Sequence, residues 1–254
     1  MVDYEERGRV ALITIRRPEA RNAVNGDVAQ GIEAAIDRLE ANPDVWVGVL
    51  TGEGPVFSAG ADLKAIAGGD AGALSTARGG FAGIVRRERA KPIVAAVNGP
   101  AFAGGCEIAL SCDLIVAARS AAFGLPEVKR ALVAAAGGLF RLPRVIGTKV
   151  AMEAILTGDP IPAERAERLG LVNALADDGA VVDVAMALAK RIAANAPLAV
   201  QASRRVVLAA DAGADDETLW RLSNEGFASM MTTEDFAEGP RAFIEKRPPE
   251  WKGR

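Results

Sequence analysis

The 254-residue sequence contains no histidine. Histidine is the most versatile general acid–base side chain and the commonest metal ligand. Its absence excludes a Ser-His-Asp hydrolase and a histidine-ligated zinc site. Acid–base chemistry must therefore use carboxylates, lysines, cysteine, the backbone or the single tyrosine, Tyr4.

Cysteine is also scarce, because Cys106 and Cys112 are the only two in the chain. Two cysteines are too few for a disulfide framework, and they have no metal-ligand partners nearby in sequence. We interpret both as small buried side chains and expect no metal site.

Basic residues are neither numerous nor clustered. The formal net charge is −3 and seven lysines are scattered along the chain, so the composition does not favour a nucleic-acid partner. Residues 1–6 are acidic where a signal peptide needs a basic start and an apolar run. The most apolar window, residues 92–112, is interrupted by Asn98, Pro100 and Glu107. We expect a cytoplasmic protein that binds no membrane.

Alternating strand and helix patterns give way to helical patterns in the last third of the chain. The periodicity predicts strands at residues 10–15, 46–51, 93–97 and 171–175. It predicts helices from residue 27 and at residues 63–67, 149–156, 181–195, 198–209, 216–230 and 234–243. This order indicates an α/β core over residues 1–195 and a helical region over residues 196–254. Residues 68–83 are glycine-rich and are predicted to be turn-rich or flexible.

The stretch from residue 92 to residue 127 contains the groups that could perform chemistry. Gly104 and Gly105 precede a helix start, where free backbone N–H groups suit an oxygen that gains negative charge. Glu107 and Glu127 each lie in an otherwise apolar run. Taken separately, the glycines are also typical of tight turns, and each glutamate is also typical of the first turn of a helix. Together they indicate acid–base chemistry on a carbonyl compound.

Five segments in this order resemble the crotonase (enoyl-CoA hydratase/isomerase) superfamily, and they cover nearly the whole chain. They are residues 17–23, 57–62, 97–127, 156–173 and 243–247. The resemblance implies an α/β fold built as a spiral of ββα turns. It also implies C-terminal helices that assemble the chain into trimers or dimers of trimers. The expected substrate is an acyl-CoA thioester, and since coenzyme A is part of that substrate, no separate cofactor is expected.

The resemblance also implies roles for particular residues. The backbone N–H groups of Ala61 and Gly104 correspond to the oxyanion hole. Glu127 corresponds to the proton donor to Cα, and Glu107 to its partner, which activates water. The positions that correspond to CoA contacts are Arg21, Ala23, Asp62, Leu63 and Lys64, with Phe243 and Lys246 supplied by a neighbouring subunit. For Arg21, Lys64 and Lys246 an ordinary solvated surface role is the alternative.

Two glutamates favour an enoyl-CoA hydratase, which adds water reversibly and syn to a 2-enoyl-CoA. The alternatives are a Δ3-Δ2 enoyl-CoA isomerase, another acyl-CoA dehydratase, and a non-catalytic or RNA-binding homologue. Residues 137–143 resemble carnitinyl-CoA dehydratases. The sequence departs from the usual family pattern at Ala134, which replaces a proline, and at Ala135, which replaces a glycine. A methyl group at residue 135 is expected to reshape the acyl pocket.

Overall fold

A computed structural model describes residues 1–254. Its eleven strands, β1 to β11 in chain order, are Val2–Arg7, Val10–Ile15, Val47–Gly52, Ser75–Thr76, Gly80–Phe81, Ile93–Val97, Ala101–Phe102, Leu114–Ala118, Ala122–Gly124, Ile161–Pro162 and Ala174–Ala176. Its ten α-helices, α1 to α10, are Gly26–Ala41, Leu63–Ala67, Gly104–Ser111, Gly138–Ile146, Thr148–Thr157, Ala163–Arg168, Val181–Ala193, Pro197–Asp211, Asp216–Met230 and Glu234–Glu245. Three short 3-10 helices are Pro18–Ala20, Ala71–Leu74 and Pro126–Arg130.

The main sheet has six strands in the order β1-β2-β3-β6-β8-β11. β1 pairs antiparallel with β2, and every other pair in this sheet is parallel. All residues of β3 and β6 are buried, as expected for parallel strands that are covered on both faces. Helix α7 packs on β3, β6 and β8, and α1 packs on β1 and β2. The hydrophobic core therefore lies around the central strands.

A second, smaller sheet gives the chain its spiral path. It has the order β10-β9-β7, and β7 and β9 are parallel. β7 follows β6 and β9 follows β8, while Ser58, which follows β3, forms a parallel bridge with Ala101 of β7. Each turn thus contains a main-sheet strand, a second strand and then a helix. Because successive turns lie side by side, the segments that follow the second strands become neighbours.

Side-chain caps explain why several helices begin where the sequence predicts. Asn25, Asp215 and Thr233 accept hydrogen bonds from backbone N–H groups in the first turns of α1, α9 and α10. Such caps satisfy backbone donors that have no partner inside the helix. The apolar face of α1 is buried at Val28, Ala29, Ile32, Ala35, Ile36 and Leu39.

The structure confirms the α/β class and the order of the predicted elements, with three differences in the main sheet. The central strand β8 was not predicted, because its short apolar run closely follows the apolar helix α3 and periodicity alone does not distinguish the two. The last strand begins at Ala174 rather than at residue 171, because the Asn173 side chain accepts a hydrogen bond from the Ile115 amide at 2.8 Å and replaces a backbone partner. β1 was missed in the sequence, because this edge strand pairs on one side only and most of its side chains are exposed.

The C-terminal helices are fixed to the core by polar contacts. On α8, Arg204 donates to the Asp113 carboxylate at 2.7 Å and to the Arg89 carbonyl at 2.6 Å. The chain end folds back on α10, where Asp235 accepts hydrogen bonds from the backbone at residues 252 and 253. Helices α8 to α10 and the segments between them expose large apolar side chains at Val207, Leu208, Trp220, Phe227, Met231, Phe236, Phe243 and Ile244. The division at residue 195 and the assembly into trimers stay predictions. None of the ten helices combines the length and apolar character that a bilayer crossing requires.

Candidate active site

The loop before α2 and the first turn of α3 lie in contact with each other. A Cβ atom on Gly60 would lie 2.7 Å from the Gly104 nitrogen, and one on Gly105 would lie 2.8 Å from the Ser58 carbonyl carbon. Only glycine allows two backbones to approach this closely, and Gly60 also has a φ of +87°. Hydrogen bonds on both sides of Ala61 tie the loop to Val24 at 2.8 and 2.9 Å.

The amides of Ala61 and Gly104 are available as hydrogen-bond donors. Neither N–H group donates to another atom of the protein, whereas the amides of Cys106 and Glu107 both donate to the Ala103 carbonyl. Ala103 has a φ of +51°, which turns the chain sharply into α3. The fold therefore brings together two free donors from adjacent turns of the spiral, an arrangement that can bind an oxyanion.

Glu107 lies in the first turn of α3 and is only 3% exposed. Its Oε1 atom accepts hydrogen bonds from the amides of Ala136 at 2.7 Å and Gly138 at 2.9 Å. Burial raises the pKa of this carboxyl, while the two amides and the positive charge of Arg141 act in the opposite direction. One carboxylate oxygen is thus fixed, and Oε2 remains for another partner.

Glu127 lies in the 3-10 helix that follows β9 and is partly buried. Its Oε2 atom is buried and has no hydrogen-bond partner in the protein. Burial raises the pKa of Glu127, its own amide lowers it, and the charge of Glu107 raises it again. The two carboxyls are therefore close enough to interact, and an unpaired buried oxygen is available to a substrate or to water.

Residues 68–83, which were predicted to be turn-rich or flexible, contain a 3-10 helix and the β4–β5 hairpin. The Glu33 carboxylate on α1 accepts hydrogen bonds from the Thr76 hydroxyl and from the Gly79 amide. This anchor places the Phe81 ring against Gly104, where an added Cβ atom would overlap the ring. Phe81 therefore forms an aromatic wall beside the Gly104 amide.

Three of the predicted CoA contacts lie on the surface beside the Ala61 loop. Arg21 is exposed, and its carbonyl accepts a hydrogen bond from the Ala59 amide at 3.0 Å. Leu63 is 51% exposed in α2, and Lys64 next to it is exposed as well. Ala23, between Arg21 and Val24, is buried. Contact of these residues with CoA stays a prediction.

The structure gives Asp62 other partners. Its Oδ1 accepts a hydrogen bond from the Lys64 amide at 2.9 Å, and its Oδ2 pairs with Arg17 at 2.6 Å. These bonds lower the pKa of Asp62, led by the Arg17 contribution, and the backbone bonds to Oδ1 cap α2. Phe243 and Lys246 lie at the end of α10, exposed, and Phe243 is 86% exposed. Neither makes a hydrogen bond to the site of its own chain through its side chain, and their contact across subunits stays a prediction.

The family assignment follows from comparison with known proteins. The family model described as enoyl-CoA hydratase/isomerase matches residues 5–254. The chain belongs to this family. The resemblance to the crotonase superfamily is confirmed, as is the fold that it implies.

Relatives in this family match the chain over nearly its whole length. An enoyl-CoA hydratase structure from Mycobacterium tuberculosis H37Rv is 47% identical, with a TM-score of 0.95, and the match covers 100% of this chain and 99% of the other. A carnitinyl-CoA hydratase structure from Mycobacterium avium is 50% identical, with a TM-score of 0.78 and coverage of 100% and 98%. A carnitinyl-CoA dehydratase from Salmonella paratyphi A is 39% identical over 253 residues, which is 97% of this chain and 96% of the relative.

Sequence reasoning missed the residues that hold Glu107 in place. The amides of Ala136 and Gly138 contact the carboxylate from 29 and 31 residues away, and only the Gly137-Gly138 pair hints at a backbone approach. At the positions that depart from the usual family pattern, Ala134 is buried in the core and Ala135 is exposed. The effect of the Ala135 methyl group on the acyl pocket stays a prediction.

Proposed function

We propose that this chain is an enoyl-CoA hydratase that adds water reversibly and syn to a 2-enoyl-CoA thioester. The observation that carries the proposal is the pair Glu107 and Glu127, both with pKa values raised by burial, in a fold that also places two free amides on adjoining loops. Enzymes commonly place two carboxyls in different environments so that one acts as the acid and the other as the base.

In the proposed mechanism, the thioester oxygen accepts hydrogen bonds from the amides of Ala61 and Gly104. Negative charge moves onto this oxygen when water attacks Cβ, so these donors stabilise the enolate more than the ground state. Loss of one such donor typically costs about 10²–10³ in turnover, or roughly 2.7–4 kcal/mol. The Phe81 ring beside Gly104 would keep bulk water away from this oxygen.

The two carboxyls divide the proton transfers. Ionised Glu107, with Oε1 held by two amides, takes a proton from water through its other oxygen as the water oxygen bonds to Cβ. Protonated Glu127 delivers a proton to Cα through its unpaired buried oxygen. The charge on Glu107 favours the protonated form of Glu127, which supports this assignment. Return of the proton from Glu107 to Glu127 completes the cycle.

The second candidate is dehydration of a carnitinyl-CoA ester, because relatives with that name match the chain closely. Such a substrate carries a quaternary ammonium group, which aromatic side chains commonly bind. Phe140 lies in the segment that resembles these enzymes, but the guanidinium groups of Arg141 and Arg144 already lie 5.4 and 5.5 Å from its ring centroid. The Phe140 ring therefore already has two cationic neighbours, which does not favour it as the binding site of a further cation.

We also propose a homotrimer or a dimer of trimers, supported by the exposed apolar side chains of α8 to α10. Such an assembly would allow Phe243 and Lys246 to reach the CoA of a neighbouring chain. Sedimentation equilibrium measures the mass directly, and a monomer at micromolar concentration would contradict this part of the proposal.

The test of function is a turnover screen with short, long, branched and carnitinyl CoA esters, monitored by mass spectrometry for the gain or loss of one water. Glu107→Gln and Glu127→Gln should each lower kcat by about 10²–10⁴, with binding of a CoA ester retained. The exposed Glu167, which makes no side-chain hydrogen bond, supplies the control Glu167→Gln.

Each alternative has its own outcome in this screen. Full activity in both glutamate variants would remove the assigned roles. Conversion of a 3-enoyl-CoA without any gain of water by a 2-enoyl-CoA would identify an isomerase. Tight RNA binding without binding of any CoA ester would identify a non-catalytic homologue.

A further inference from the structure

Arg141, in the first turn of α4, joins two parts of the site that are distant in sequence. Its Nη2 atom donates to the Val85 carbonyl at 2.6 Å, and its Nη1 atom donates to the Ala136 carbonyl at 3.3 Å. The guanidinium is partly buried and forms no ion pair with a carboxylate. Its side-chain hydrogen bonds go only to these two backbone carbonyls, so its position depends on the two segments that carry them.

The Ala136 contact leads to the proposed base. The Ala136 carbonyl accepts from Arg141, and the Ala136 amide donates to Glu107 Oε1 at 2.7 Å. The amide of Gly138, which like Ala136 precedes Arg141 in the chain, donates the second hydrogen bond to Glu107 Oε1 at 2.9 Å. The guanidinium therefore restrains the backbone segment that orients the Glu107 carboxylate.

The Val85 contact leads to the proposed oxyanion hole. Val85 is buried, and its amide donates to the Phe81 carbonyl at 3.4 Å. The Phe81 ring in turn lies against Gly104. One guanidinium thus connects the backbone clamp on Glu107 with the segment that carries the aromatic wall.

We propose that Arg141 is a positioning residue of the hydration reaction. It fixes the Ala136 peptide, which orients Glu107, and it fixes the Val85 peptide, which is bonded to the segment that contains Phe81. This inference rests on the proposed function. Because a misplacement of about 1 Å can cost about 10²-fold in rate, a residue that fixes both segments affects turnover without contacting substrate.

The charge of Arg141 also acts on Glu107 across this contact, and it lowers the pKa of that carboxyl. The other charged groups that influence Arg141 are Arg89, Arg144 and Asp211. The charge of Glu107 acts in turn on Glu127 and on Cys106, and it raises the pKa of both. Removal of the Arg141 charge should therefore move the ionisation of Glu107 to higher pH.

Two variants separate the hydrogen bonds from the charge. Arg141→Lys keeps a cation but has no planar fork to span two carbonyls, whereas Arg141→Met loses both. We expect both to lower kcat by about tenfold to a hundredfold, with KM for the CoA ester changed less than about threefold. Only Arg141→Met should move the acid limb of the kcat profile to higher pH. Arg144→Met is the control, because Arg144 lies over the same ring but is exposed.

A second readout does not depend on turnover. The infrared difference spectrum between wild type and Glu107→Gln identifies the carboxyl band of Glu107. The pH midpoint of this band should be higher in Arg141→Met than in wild type. If the wild type hydrates no substrate, the proposed function fails while this titration still tests the contact. If Arg141→Met does not fold, Arg141→Lys decides through kcat. Wild-type kcat and an unshifted titration in the folded variants, or an equal loss in Arg144→Met, would overturn the proposal.

Discussion

Replacement of Gly60 by alanine is the sharpest test of the contact between the two donor loops. The new Cβ atom would lie 2.7 Å from the Gly104 nitrogen and 3.0 Å from the Phe102 carbonyl oxygen. Both neighbours are backbone atoms, so no side chain can rotate to relieve the overlap. The loop that carries Ala61 and the start of α3 must move apart.

The distances set the expected size of the effect. Ordinary contact begins at 3.4 Å, which exceeds the Gly104 separation by about 0.7 Å. A shift of this size approaches the 1 Å misplacement that costs about 10²-fold, and complete loss of one donor costs about 10²–10³. We therefore expect kcat to fall by about tenfold to a hundredfold. Overpacking should also lower the free energy of unfolding by about 1–3 kcal/mol.

The chain supplies a matched control at Gly69. Its φ of +92° is close to the +87° of Gly60, but a Cβ atom there meets nothing within 4 Å. Gly69→Ala therefore carries the same left-handed backbone strain, about 1–2 kcal/mol, without the overlap. Hydration kinetics at saturating 2-enoyl-CoA and thermal unfolding are measured for both variants. If Gly60→Ala retained the kcat of Gly69→Ala, the proposed pairing of the donors would be wrong.

Two further predictions concern stability and pH. The buried side-chain amide of Asn22 donates hydrogen bonds to the carbonyls of Glu53 and Val56 at 2.9 and 2.7 Å. Asn22→Ala should therefore lower the free energy of unfolding by roughly 3 kcal/mol. Denaturant unfolding measures this against the exposed control Asn224→Ala, and equal stability of the two variants would contradict the prediction. The hydration rate should fall at low pH as Glu107 is protonated, and this acid limb should lie above the ordinary carboxyl pKa of about 4.3, because burial raises the pKa of Glu107. A limb below that value in a kcat profile would refute this assignment of the base.

Local sequence signals predicted the parts of the site that depend on one segment. Glycines before an apolar helix indicated free amides at Gly104, and the same helix carries Glu107 one turn later. Caps at Asn25 and Asp215 are likewise local, and the helices that they begin were predicted closely.

Contacts between distant segments were not predictable from periodicity. The Arg141 bond to Val85 joins residues 56 positions apart, and the Asn173 bond that delays β11 spans 58 positions. The meeting of Gly60 with Gly104 depends on the pitch of the spiral, which no single segment specifies. Long-range packing decided these features, and local propensity could not reveal them.

The origin of the two donors in the main chain has a consequence for how this scaffold can change. Side-chain replacement at Ala61 leaves its N–H group in place, so a change of this side chain need not abolish polarisation of a thioester, provided that Gly60 and Gly104 remain glycine. The acids, by contrast, are ordinary side chains that one codon change can remove or relocate. In the proposed mechanism, backbone amides stabilise the enolate and side chains transfer the protons. A change of reaction on the same enolate would therefore require few substitutions.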